Sequence, residues 1–173
     1  MRELADSTRI EQFMRELGKA ARVDGRVYLT GGATAVLYGW RDTTIDVDIK
    51  LIPDRDEILR EIPRLKESLN LNVELAAPSD FIPLPAGWED RSPLIRREGK
   101  LSFHHFDPVA QALSKVERGH DQDISDVREL ISSGLVNPAE ALIQFEAIEP
   151  ELYRFPAIDP ASFRKAVEEL FSV

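Results

Sequence analysis

The chain has 173 residues, 43% hydrophobic and 31% charged, and its 31 acidic and 22 basic side chains leave a net charge of −9. That length is one domain, or one domain with an appendage, and is enough to bury a core. The acidic balance excludes capture of long nucleic acid by bulk electrostatics. The lack of any cysteine excludes disulfide scaffolds, thiolate zinc sites, iron–sulfur clusters and cysteine nucleophiles.

No apolar run approaches the roughly 20 residues of a membrane span, and Met1 to Asp6 carries acid where a secretory leader is apolar. A cytoplasmic protein without membrane contact is expected. Ile10, Phe13, Met14, Leu17 and Ala21 recur at helical spacing, with Asp6 or Ser7 as cap. Arg26 to Thr30 reads as a strand that runs into Gly31-Gly32, and Ala33 to Tyr38 as a helix stopped at Gly39. From Thr44 to Ile52 the pattern alternates, with Ile45, Val47, Ile49 and Leu51 on one face and Asp46, Asp48 and Lys50 on the other. A helical stretch follows to Leu69, and Pro63 should kink or split it.

Leu71 to Ala76 predicts a strand with Asn72, Glu74 and Ala76 on one face. The proline-rich segment 78–93 predicts a long loop, then a hairpin about Glu98-Gly99-Lys100. Helices are expected from Pro108 to Arg118, Asp123 to Ser133, Pro138 onward and Pro160 to Phe171, with 149–160 as a linker. The order is an α/β core over residues 1–106 and a helical C-terminal part over 107–173, packed as one unit.

Three features fall in order on consecutive elements. A strand ends in Gly31-Gly32, which lets the backbone approach a ligand closely and favours phosphate. Asp46 and Asp48 point the same way, repel each other, and suit a magnesium or manganese ion between them. Glu74, with Asp80 as its rival, offers a third carboxylate for metal or for an attacking hydroxyl's proton. Phosphate, divalent metal and carboxylates together point to phosphoryl or nucleotidyl transfer. Taken singly, each feature has a structural explanation: a tight turn, a charged strand edge, a solvated acid.

The stretch from Leu29 to Ile49, with Gly31-Gly32, Arg41, Thr44 and Asp46-Val47-Asp48, resembles the signature of the DNA polymerase β-like nucleotidyltransferase superfamily. The likeness is closest to small bacterial AbiEii-type toxin nucleotidyltransferases and their uncharacterised relatives. It implies a nucleotidyltransferase-like mixed sheet flanked by helices, an NTP substrate, Mg2+ or Mn2+, and an acceptor that could be tRNA, a protein hydroxyl or a small molecule. An antitoxin partner is implied in the same way. By position, Gly31 and Gly32 would cradle the triphosphate, Asp46, Asp48 and Glu74 would hold metal, and Arg41 and Thr44 would match the Arg and Thr of the motif. Many members have Ser where this chain has Gly32; Thr34 is the candidate stand-in. A looser match covers Lys115, Arg118 and Asp123, with Lys115 directed at the β- and γ-phosphates. Asp123 also suits a helix N-cap, with Asp126 three residues on.

His104 and His105 alternate faces and cannot serve one site. Arg91, Arg96, Arg97 and Lys100 form a basic cluster that either steers an RNA end or is a solvated hairpin. The alternative to an enzyme is a catalytically inactive, nucleotide-sensing or partner-binding module on the same fold.

Overall fold

The structure is a computed structural model and describes residues 2–172. The chain forms two compact units, residues 1–77 with 92–105, and residues 78–91 with 106–173.

The first unit is an α/β layer. Helix α1 (Ser7–Ala20) starts at Asp6, whose side chain accepts from the Arg9 N–H. Strand β1 (Gly25–Thr30) leads into α2 (Gly32–Tyr38), which Gly39 ends in the left-handed conformation. Strand β2 (Asp46–Ile52) follows. The next helical stretch breaks into α3 (Asp56–Leu59) and α4 (Glu61–Ser68). The break lies one turn before Pro63, because the proline ring opposes the carbonyl four residues upstream, that of Leu59. Strand β3 (Asn72–Glu74) is shorter than its alternation predicts. The hairpin of β4 (Leu94–Glu98) and β5 (Leu101–His105) turns at Gly99-Lys100 as expected.

The five strands form one mixed sheet in the order β3-β2-β1-β5-β4. β1 runs antiparallel to β2 and parallel to β5, β2 is parallel to β3, and β4 is antiparallel to β5. This is the mixed α/β sheet expected from the sequence. Its core packs Ile10, Phe13, Met14 and Leu17 of α1 and Ile62 and Leu65 of α4 against Val27, Leu29, Val47, Ile49 and Phe103. Each such side chain, fully buried, contributes about 1.5–3 kcal/mol. The period of two then turns Asp46, Asp48 and Lys50 to the other face of β2.

The second unit is built around α5 (Pro108–Arg118), buried along most of its length. Helices α6 (Asp121–Ser132), α7 (Pro138–Ile148) and α8 (Pro160–Phe171) pack against it. The predicted linker is partly ordered as a 3₁₀ turn, Glu149–Arg154. Another 3₁₀ turn, Pro78–Asp80, carries Asp80 into this unit. Asp107 is fully buried, caps α5 through the Val109 N–H and receives the Arg91 guanidinium at 2.8 Å.

In the first unit His104 stacks on Tyr28 and His105 on Tyr38, so the two imidazoles do take opposite faces. The His105 Nδ1 lies 3.0 Å from the Thr34 hydroxyl, and burial pushes its pKa down from 6.5 to about 4. A histidine held neutral in the fold protonates first in the unfolded chain, so stability is full above pH 6.5 and is lost as pH falls toward 4. The loss amounts to about 3 kcal/mol over that window. Thermal melts between pH 7 and pH 4.5 should show a falling Tm, and His105→Gln should flatten that dependence.

Candidate functional site

The site is built where β1 stops. Gly31 has φ +65° and turns the chain into α2. A side chain at this position would be strained, and its Cβ would lie 3.2 Å from the Asp48 Oδ2. The Asp48 carboxylate therefore lies against the glycine turn.

Gly32 is fixed by volume. A Cβ there would lie 2.0 Å from Thr44 Oγ1 and 2.7 Å from Thr44 Cβ, and 3.4 Å from the Arg41 guanidinium. The Thr44 side chain thus fills the space that a residue-32 side chain would need. Its hydroxyl donates to the Asp46 carbonyl at 3.1 Å, which fastens the start of β2 beside the start of α2. Gly31, Gly32, Arg41, Thr44, Asp46 and Asp48 come together in this way. Thr34 is turned elsewhere: its hydroxyl is buried, facing His105 Nδ1 and, at 3.4 Å, the Leu29 carbonyl. The hydroxyl beside Gly32 is that of Thr44.

Glu74 stands beside Asp48, since β2 and β3 pair Asp46 with Asn72 and Asp48 with Glu74. Parallel register puts all four side chains on one face. Asn72 bridges them: its Nδ2 donates to Asp46 Oδ1 in a short hydrogen bond and to Glu74 Oε1 at 3.2 Å. Among the described residues no group of three acidic or imidazole side chains closes around a common point. Asn72 had no assigned role in the sequence. Its position two residues before Glu74 showed that it shares that face, but its pairing with Asp46 appears only once the neighbouring strand is known.

Lys115, Arg118 and Asp123 belong to the second unit. Lys115 is buried, 2.9 Å from Asp126 Oδ2 and 3.8 Å from Asp123 Oδ1. Arg118 donates to Asp123 at 2.7 Å and lies over the Phe81 ring. Two cations face two buried carboxylates across α5 and α6, an arrangement whose partners are costly to remove singly. Asp123 is not the N-cap: His120 holds that position, and the Asp123 carboxylate is taken up by the two basic side chains of α5. The basic residues near the hairpin are separately engaged. Arg96 pairs with Glu11 and Glu98, Arg91 with Asp107, and Lys100 donates to the Arg22 carbonyl.

If Thr44 and Gly32 share one volume, Gly32→Ala should destabilise the fold by about 1–3 kcal/mol. In a Thr44→Gly background the same change should cost almost nothing. A double-mutant cycle followed by chemical denaturation measures this coupling.

The family described as "Nucleotidyltransferase of unknown function (DUF6036)" matches residues 7–144. The chain belongs to that family. No curated protein and no solved structure matches it significantly.

Proposed function

We propose that this member of the DUF6036 nucleotidyltransferase family moves an NMP from an NTP to a hydroxyl-bearing acceptor with a divalent cation. The observation that carries the reading is the Asp48 carboxylate against the Gly31 turn, with Asp46 on the same polar face of the strand.

The donor set fits a hard cation. It is all oxygen, and two carboxylates are the usual protein share of a magnesium site that takes its other ligands from substrate phosphates. Asp46 and Asp48 would hold Mg2+ or Mn2+. What the ion supplies when bound is neutralisation of phosphate charge and activation of the incoming oxygen. The rest falls to the chain's own groups. The backbone at Gly31 and Gly32 gives the triphosphate close approach, and Arg41 meets its charge. Thr44 fixes Asp46 relative to that turn. Asn72 orients Asp46 and Glu74 together. Glu74 takes the proton of the acceptor hydroxyl as its oxygen bonds to the α-phosphorus and pyrophosphate departs.

The resemblance extends the proposal to Lys115, Arg118 and Asp123. A role for Lys115 at the leaving phosphates requires its ammonium to exchange carboxylate for phosphate. It also extends it to an AbiEii-like toxin with a protein antitoxin. Induced expression in a bacterial host should then stop growth, and Asp46→Asn should abolish the arrest; unimpaired growth at high expression removes the toxin role.

One observation favours a second reading, a nucleotide-sensing module without turnover: Asn72 stands between Asp46 and Glu74, where a third acid would close a metal cluster. Calorimetry and pyrophosphate release separate the two. Under the enzyme reading, Asp46→Asn and Asp48→Asn each lower transfer by on the order of 100-fold or more. Nucleotide binding with no turnover in the wild-type chain would leave only the sensing module.

A further inference from the structure

The sheet of the first unit ends at β3, and beside that edge lies a cavity of about 760 Å³. Its walls are largely apolar, with Leu59, Ile62 and Pro63 from α3 and α4, and Val73 and Leu75 from the strand and its continuation. Glu74 lines the same cavity. Glu74 therefore joins two places: its carboxylate is tied through Asn72 to the Asp46 corner on one face of the sheet, and its residue forms part of the rim of an apolar hollow on the α4 side, of the size that holds a ligand.

A group-transfer acceptor must bring its hydroxyl within hydrogen-bond reach of the group that takes the proton. We infer that the acceptor is an extended polypeptide that adds to the β3 edge and presents a serine, threonine or tyrosine hydroxyl to Glu74. This rests on the reading of Asp46, Asp48 and Glu74 as a transfer site.

Backbone, side chains and charge support this occupant. As the edge strand, β3 has β2 on one side only, and an edge offers main-chain groups to an added strand. Val73 and Leu75, two apart, share a face; Val73 is buried in the core and Leu75 is 57% exposed, so Leu75 offers the apolar contact beside the edge. The charges lining the hollow balance: Arg2 and Lys66 against Glu67 and Glu74, with Arg2 already held by Glu67 at 2.6 Å. A polynucleotide backbone calls for an excess of cations, which this lining and a chain of net charge −9 do not offer. In the step itself the peptide oxygen bonds to the α-phosphorus, the bond to the β-phosphate breaks, pyrophosphate leaves, and the proton passes to Glu74.

The test gives the full chain magnesium and each α-labelled NTP. The acceptor is a soluble library of peptides of about nine residues, with a central Ser, Thr or Tyr and β-branched residues immediately on either side of it, which alternate to the face of Leu75. Bulk tRNA is run in parallel. Label on peptides is expected. N-methylation of alternate backbone amides in the best peptide should cut labelling about tenfold or more, since it removes strand pairing and keeps the side chains. Leu75→Glu, at an exposed position, should raise the peptide KM by about tenfold without moving NTP affinity. Label on tRNA with peptides blank, or on neither while NTP binds, overturns the inference. So does peptide labelling indifferent to both N-methylation and Leu75→Glu. Failure to bind any NTP is a separate result: it removes the transfer reading itself, and the inference with it.

Discussion

The volume shared by Gly32 and Thr44 is the constraint on which the candidate site depends. Position 32 has no room for a side chain because the Thr44 side chain occupies it, and the Thr44 hydroxyl is in turn bonded to the carbonyl of Asp46. One side chain thus sets the start of α2 and the start of β2 against each other. Beside it the Gly31 turn and the Asp48 carboxylate meet through the β1–β2 register, in which Asp48 pairs with Thr30, the last residue before the turn.

The two units deal with charge in opposite ways. In the helical unit Lys115, Arg118, Asp123 and Asp126 are drawn together, with Asp123 and Asp126 almost fully buried. Such a group favours one packing of α5 on α6 more through the cost of breaking it than through net stabilisation. In the α/β unit the acids lie on the sheet face opposite the α1 and α4 packing, and Glu74 is exposed. Asp46 and Asp48 are half-buried there, whereas Asp123 and Asp126 are buried against the cations of α5.

Local periodicity made much of this legible in advance. The alternation from Asp46 to Ile52, the cap at Asp6, the stop at Gly39 and the helix from Pro108 to Arg118 all depend on residues within one turn or one strand, and the structure has them. What the sequence hid depends on partners distant in the chain. Thr34 looks like a substitute hydroxyl until His105, 71 residues on, is seen to accept its company. Asp123 looks like a cap until α5 is placed beside α6. Asn72 is an ordinary polar residue until β3 pairs with β2 in a register that sets it opposite Asp46.

That register also explains how three acids share one strip of sheet. Asp46 and Asp48, two residues apart on a strand, are separated by roughly 7 Å of backbone, and Glu74 adds a third charge alongside Asp48. At an effective dielectric near 20, two like charges at that distance repel by about 2 kcal/mol. The Asn72 amide answers part of this by donating to Asp46 and Glu74 at once, a neutral group placed between two negative ones. Replacing it by a fourth acid would add repulsion on every side, and an apolar residue would leave both carboxylates without that donor. An amide at this position couples the orientation of the Asp46 carboxylate to that of Glu74 across the two strands.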